Sequence, residues 1–306
     1  MQQVKKTRPA RGAADFAQIG LAGFLMGICE IIPGVSGGTM AFILGIYEEL
    51  IQSIRDVSEP EFIKAVTGFK IKRIFEILNW QFLGTLFVGM LVAIVALAEV
   101  VGRLLETKPA MIWSFFFGLV LASIILIGRR IAQWTPLLIG ILVAVAVSVF
   151  FIFGGSGITT PDTWWAFILS GAVAICAFIL PGISGSFVLV LLGKYDQVLD
   201  AVRGLDIVTV GLVGVGAVLG LITFARVVGW LFENYHDIVV AALSGLMVGS
   251  LRVIWPWKIN PACLDQHVPC TNALPVFNSS LLLAIGLMVA GVVTILAIER
   301  FSNAAK

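Results

Sequence analysis

Charged residues are scarce in this sequence. They make up 12% of the 306 residues, and apolar residues make up 59%, whereas soluble proteins average about 25% charged residues. This composition excludes an ordinary soluble domain. Several apolar runs approach or reach the roughly 20 residues that a helix needs to cross a bilayer, among them 82–101, 111–128, 135–153 and 281–298. The sequence therefore predicts an all-α membrane protein that crosses the bilayer several times.

Sequence signatures of nucleotide use are also missing. The chain has no Walker phosphate loop and no dinucleotide-binding glycine pattern, so an ATP-driven pump is disfavoured. We expect no cofactor, no metal ion and no nucleic acid partner. The first 20 residues are basic at their start, but a membrane-spanning pattern without a convincing cleavage site follows, so we expect no cleaved signal.

Cysteine is rare, and the four residues fall into two groups. Cys29 and Cys176 lie in apolar sequence, and we expect them to serve as packing residues. Cys263 and Cys270 share the one long polar loop between predicted spans. If this loop faces an oxidising compartment, we predict a short disulfide between them.

A glycine-rich motif occurs twice. Residues 33–39 read Pro-Gly-Val-Ser-Gly-Gly-Thr, and residues 181–187 read Pro-Gly-Ile-Ser-Gly-Ser-Phe. A Gly-x-Tyr triplet follows each motif at the same distance, at residues 45–47 and 193–195. With a shorter offset, matches continue from 100–123 to 227–250. We interpret the chain as two copies of one unit, at residues 16–153 and 163–300.

Each copy is predicted to open with an apolar helix that breaks at its Pro-Gly pair, followed by three spans. The broken helices cover about 16–32 resuming to 54, and 163–180 resuming to 202. The spans cover about 81–104, 110–128, 135–153, 208–232, 237–255 and 278–299. Because a broken helix returns the chain to the side that it left, three further crossings invert the second copy relative to the first. Inverted repeats with interrupted helices are typical of secondary transporters.

Basic residues predict which side is cytoplasmic. The N-terminal segment 1–15, the amphipathic segment 56–79 and the Arg129-Arg130 pair all fall on one side of this topology. Short cytoplasmic loops are enriched in Lys and Arg. We therefore expect cytoplasmic N- and C-termini, a periplasmic loop at 256–277, and a role for Arg129 and Arg130 as topology anchors.

The chemistry of the motif indicates an anion site. Proline can begin a helix, glycine allows close backbone approach, and the start of a helix presents free amides at its positive end. The alternative is that Gly and Ser only allow close helix packing. The predicted phosphate-binding residues of the two motifs are Gly34, Val35, Ser36, Gly37, Gly38, Thr39, Gly182, Ile183, Ser184, Gly185 and Ser186.

Ionisable residues within apolar sequence are candidates for function. Arg226, Arg252 and Lys194 are predicted to meet the phosphate. Glu30, three residues before the first proline, and Glu99 are candidates for proton coupling. The alternative for Arg226, Arg252 and Glu99 is that their side chains extend to the membrane interface.

The motif residues carry a family resemblance. Residues 30–39 and 180–186 resemble the bacterial polyprenyl-phosphate transporter family, and the resemblance covers nearly the whole chain. It implies movement of undecaprenyl phosphate from the outer to the inner leaflet of the cytoplasmic membrane, which recycles the lipid carrier of cell-wall and surface-glycan synthesis. The expected partners are this lipid and membrane lipids, and the oligomeric state stays open.

Two rival functions stay open. Membrane phosphatases that act on undecaprenyl pyrophosphate have a resembling Pro-Gly-x-Ser-Arg-Ser motif, but Gly37 and Gly185 occupy the arginine position here. Phosphoryl transfer would then lack its electrostatic support, and we expect no enzyme activity. A channel or exchanger for a small anion would use the same motif chemistry.

Overall fold

The chain is helical throughout the part that the computed structural model describes, residues 11–31, 36–57, 59–155, 157–259, 271–277 and 279–304. Within these ranges it forms thirteen helices and no β-strand. In the first half these are α1 (Ala13–Ile31), α2 (Gly37–Ile43), α3 (Tyr47–Val57), α4 (Pro60–Thr67), α5 (Ile71–Ile77), α6 (Trp80–Thr107), α7 (Pro109–Gly128) and α8 (Pro136–Ile152). In the second half they are α9 (Trp164–Ile179), α10 (Gly185–Leu191), α11 (Tyr195–Arg203), α12 (Ile207–Ser250) and α13 (Ser279–Ala304).

Five of these helices are long and apolar enough to cross a membrane, namely α1, α6, α7, α12 and α13. The helices α8 and α9 are apolar but shorter, with 17 and 16 residues. At 1.5 Å per residue, the 28 residues of α6 extend about 42 Å, more than the roughly 30 Å of a bilayer core. The prediction of an all-α polytopic membrane protein is confirmed.

The helix that was predicted to resume after each motif is in fact two helices. In the first copy α2 ends at Ile43, and Gly45 adopts a φ of 72° before α3 begins. In the second copy Gly193, with a φ of 64°, separates α10 from α11 in the same way. A positive φ ends a helix and is readily adopted only by glycine. The repeated Gly-x-Tyr triplet is therefore a helix stop, which the prediction missed.

The two spans predicted at 208–232 and 237–255 form α12, which is interrupted only by non-helical angles at Tyr235 (φ −141°, ψ 46°). Lys108, between α6 and α7, adopts nearly the same angles (φ −141°, ψ 53°). The parts of α12 before and after Tyr235 thus repeat the local structure of α6 and α7.

Short helices fold back along the helices that precede them. In the first hairpin, formed by α1 and α2, a Cβ added to Gly37 would lie 3.3 Å from the carbonyl oxygen of Met26. In the second hairpin, formed by α9 and α10, a Cβ on Gly185 would lie 2.6 Å from the carbonyl oxygen of Ala174. The glycines that begin α2 and α10 therefore allow each hairpin to close.

Long helices pack through glycine at repeated positions. Gly23 of α1 lies against Leu86 of α6, and Gly171 of α9 lies against Val213 of α12. An added Cβ would come within 2.1 Å of a carbonyl oxygen in both cases. Small residues let membrane helices approach closely, so the alternative role considered for glycine, close packing, applies to these long helices.

Candidate functional site

The tips of the two hairpins meet inside the protein. The Ser36 hydroxyl donates to the carbonyl oxygen of Leu180 at 3.0 Å, and the amide of Gly182 donates to Thr39 Oγ1 at 2.8 Å. Ser36 and Thr39 are each 1% exposed. We call these two hydrogen bonds and the residues that form them the motif contact. It joins parts of the chain that lie more than 140 residues apart in sequence.

Glycine is required on both sides of the motif contact. A Cβ on Gly38 would lie 2.3 Å from the carbonyl oxygen of Ile179. Gly182 has a φ of 87°, and a Cβ there would lie 3.0 Å from Met247 Cα. The motif therefore brings backbone against backbone, which a larger residue would prevent.

Three of the amides that were predicted to be open to an anion are held by side-chain oxygens of the protein. Glu30 Oε1 accepts from the amide of Gly37 at 2.7 Å, and Ser36 Oγ accepts from the amide of Gly38 at 3.1 Å. The amide of Gly182 is bonded to Thr39, as described above. A buried amide without a hydrogen-bond partner is costly, and these oxygens provide the partners. A phosphate that binds these amides would have to replace the three side-chain oxygens.

The second motif is not equivalent to the first. The hydroxyls of Ser184 and Ser186 share a hydrogen bond of 2.7 Å, and Ser184 begins α10 without a side-chain hydrogen bond to its amides. Ile183 and Gly185 are buried, whereas Ser186 is exposed. Four predicted residues, Gly34, Val35, Cys263 and Cys270, lie outside the described residues.

Lys194 lies in an ion pair. Its fully buried ammonium donates to Asp162 at 2.5 Å and to Gln197 at 2.8 Å, and it lies 4.6 Å from the ring centroid of Phe167. These hydrogen bonds lower the pKa of Asp162 below its ordinary value, the bond from Lys194 first. The pair ties the segment before α9 to the start of α11.

The other charged candidates lie on several helices. Glu99 is exposed on α6 and paired with Arg103, one turn along the same helix. Arg252 follows α12 with its guanidinium 4.4 Å from the ring centroid of Phe150, and Arg226 is exposed on α12. Glu30 is a charged candidate that contacts a motif residue, because it accepts from the amide of Gly37.

Two attachments, one of α2 and one of α3, were missed. Arg130 Nη2 donates to the carbonyl oxygen of Phe42 at 2.9 Å, at the end of α2, and its guanidinium lies 5.0 Å from the Phe42 ring centroid. Glu49 of α3 is paired with Arg11 and accepts from Asn79 Nδ2 at 2.7 Å. The repeat offers a signal for the second attachment, because Glu49 corresponds to Gln197, which belongs to the equivalent polar group of the other copy.

Comparison with known proteins decides the family. A family model described as undecaprenyl phosphate translocase-like matches residues 26–269, which include both motifs. The chain belongs to this family. A polyprenyl-phosphate transporter of Vibrio cholerae is 40% identical over 300 residues, which cover 92% of this chain and 96% of the relative. A polyprenyl-phosphate transporter of Staphylococcus aureus is 28% identical over 259 residues, or 77% and 85% of the two chains.

Membership of the undecaprenyl phosphate translocase-like family confirms the resemblance that the two motifs indicated. No solved structure matches this chain.

Proposed function

We propose that this protein is a transporter that moves undecaprenyl phosphate from the outer to the cytoplasmic leaflet of the bacterial inner membrane. This movement would return the lipid carrier to peptidoglycan and surface-glycan synthesis. Family membership and the names of the two relatives support the substrate class. The observation that carries the proposal is the motif contact, because it joins the two copies of the repeat at a buried group of hydroxyls and amides.

The attachments of the hairpins support an inverted arrangement of residues 16–153 and 163–300. The outer end of the first hairpin is held by Arg130, shortly before α8 begins. The outer end of the second is held just after α8 ends, where the amide of Ile158 donates to the carbonyl oxygen of Leu191 at 2.6 Å. The 17 residues of α8 separate these points by about 25 Å. The hairpins would therefore enter from opposite faces of the membrane and meet near its middle.

Only the phosphate head of the substrate needs a polar binding site in this mechanism. The polyprenyl tail can stay in lipid while the phosphate occupies the space between the hairpin tips. Hydroxyls of Ser36, Thr39, Ser184 and Ser186, with the neighbouring amides, would exchange their present partners for phosphate oxygens. A neutral hydrogen bond contributes only about 0.5–1.5 kcal/mol net, so the two bonds of the motif contact can be exchanged. Separation of the tips towards either face would open the site to one leaflet at a time.

Glu30 is our candidate for coupling transport to protons. Its carboxylate accepts from the amide of Gly37 at the start of α2, so a proton or a phosphate arriving there would change the same contact. Glu30→Gln keeps an oxygen that can accept from this amide but cannot gain a proton at neutral pH. If Glu30→Gln transports with the pH dependence of the wild type, the coupling proposal is wrong.

Transbilayer movement of undecaprenyl phosphate by purified protein in liposomes tests the function. We expect the double variant Ser36→Ala/Ser184→Ala to lose most transport. Ser148→Ala is the matched control, because this exposed residue on α8 donates its hydroxyl to the carbonyl oxygen of Ala144 in the same helix. Arg226→Ala tests the predicted role of that arginine in phosphate capture. Wild-type protein that is folded but does not move the lipid would contradict the proposal.

The same liposomes distinguish the rival functions. We propose no catalysis, because Gly37 and Gly185 stand where the resembling phosphatase motif has arginine. Release of inorganic phosphate from undecaprenyl pyrophosphate would instead indicate an enzyme. Flux of chloride or phosphate without lipid movement would indicate a small-anion channel or exchanger.

A further inference from the structure

A cavity of about 450 Å³ opens beside the C-terminal end of α7. Its walls come from three helices: Ile124, Ile125 and Gly128 belong to α7, Leu142 to α8 and Ser244 to α12. None of these residues belongs to either motif. The volume falls in the range of ligand sites, roughly 300–1,000 Å³. We call this cavity the lateral groove.

One end of the lateral groove is polar. Trp134 lines this end and donates from its indole nitrogen to the carbonyl oxygen of Gly128 at 3.2 Å, which fixes the ring against the end of α7. Arg129 lines the same cavity and is exposed. Within the described ranges the side chain of Arg129 makes no hydrogen bond or ion pair, whereas the guanidinium of the adjacent Arg130 contacts Phe42. Of the two arginines, one attaches the first hairpin and the other faces the groove.

The chemistry of the lateral groove matches an amphiphile with an anionic head. The walls are mostly aliphatic, and a guanidinium lies where α7 ends and the headgroup region is expected to begin. Tryptophan and arginine are common at this depth of a membrane. Arginine also binds phosphate well because its donors match two oxygens at once. A small inorganic anion would not need the apolar walls, and a neutral lipid would not need the guanidinium.

We propose that the lateral groove is a docking site for polyprenyl phosphate between the bilayer and the motif contact. The phosphate pairs with Arg129, and the first isoprene units lie along Ile125 and Leu142. The site adjoins the attachment of the first hairpin, because Arg130 follows Arg129 directly. If the Arg129-Arg130 side is cytoplasmic, the groove serves the leaflet into which the lipid is released. This inference rests on the proposed function.

Two variants test the docking site without touching the motif contact. Arg129→Gln removes the charge, and Ile125→Trp narrows the groove at a position that is 55% exposed, so both should fold. We expect Arg129→Gln to raise the lipid concentration for half-maximal transport roughly 5-fold, as for loss of a partly exposed charge pair, and Ile125→Trp to do likewise. Arg203→Gln on α11 and Leu121→Trp on α7 are the matched controls, because neither residue lines the groove and both are exposed.

Photolabelling gives a second readout that does not depend on turnover. A polyprenyl phosphate with a photoreactive group on its first isoprene unit should label residues 124–142 in the wild type and less in Arg129→Gln. Excess unlabelled polyprenyl phosphate should protect these residues, and phosphatidylglycerol should not. Equal protection by phosphatidylglycerol would mean a general anionic-lipid site and would overturn the proposal.

The transport outcomes distinguish failure of the docking site from failure of the proposed function. If wild-type protein moves the lipid but both groove variants saturate as the controls do, the docking site is wrong and the proposed function stands. If wild-type protein moves no polyprenyl phosphate, the proposed function fails, and the docking site fails with it.

Discussion

Gly38→Ala tests the close approach of the hairpin tips. The backbone of Gly38 is helical, so alanine itself is compatible with the conformation. The added Cβ, however, would lie 2.3 Å from the carbonyl oxygen of Ile179, and ordinary contact begins near 3.4 Å. The tips must therefore separate by about 1 Å, because the obstructing atom belongs to backbone and cannot rotate away.

This separation also breaks the motif contact. A shift of about 1 Å lengthens the bonds of 3.0 Å from Ser36 to Leu180 and of 2.8 Å from Gly182 to Thr39 to nearly 4 Å, beyond hydrogen-bonding range. Overpacking costs about 1–3 kcal/mol, and a buried polar group without a partner costs about 1–3 kcal/mol. Together these two costs lower the expected free energy of unfolding by about 2–6 kcal/mol.

Reversible unfolding in mixed micelles measures this change, and liposome transport of the same variant shows whether the tips still close. Gly84→Ala is the matched control, because no atom lies within 4 Å of the Cβ that it adds on α6. If Gly38→Ala unfolds at the same free energy as Gly84→Ala and transports normally, the tips do not pack as described.

Three further changes test other contacts. Lys194→Met should lower the unfolding temperature at neutral pH, because it leaves Asp162 without its ammonium partner. The ion pair lowers the pKa of Asp162 below its ordinary 3.8 in the folded protein. The difference in unfolding temperature between the wild type and Lys194→Met should therefore shrink as the pH falls through that lowered pKa. Burial, and then the charge of Arg252, lower the pKa of Lys258 from 10.5 to about 8. Between pH 8 and 10.5 the unfolded chain therefore binds more protons than the folded protein, so the free energy of unfolding should rise with pH across this window. Lys258→Met should abolish this rise. Gly182→Ala, at a φ of 87°, should cost about 1–3 kcal/mol from backbone strain and should reduce transport.

Each of these changes has a control in the chain. Lys70→Met removes an exposed lysine and should leave the unfolding temperature unchanged, and it also serves as the control for Lys258→Met. A pH profile of Lys258→Met that still follows the wild type would contradict the lowered pKa. Gly214→Ala adds a Cβ with no neighbour within 4 Å, and stability of Gly182→Ala equal to that of Gly214→Ala would contradict the strain argument.

The sequence by itself determined the class of protein, the two motifs and the family. Apolar runs of membrane-spanning length require helices, because backbone polar groups in lipid must be satisfied within the segment. The spans that became α6, α7 and α8 were predicted within about three residues at each end. The motifs around Ser36 and Ser184 were found because glycine and proline have few local roles in apolar sequence.

Only the tertiary structure decided which residues meet. The motif amides were predicted to be free, but Glu30, Ser36 and Thr39 each hold one of them, because a buried amide pairs with the oxygen that the fold places beside it. The sequence grouped Arg129 with Arg130, yet one lines the lateral groove and the other attaches α2. These roles depend on contacts between segments far apart in the chain. Local pattern and spacing carry little information about such contacts, whereas they carry much about where a helix begins, breaks and ends.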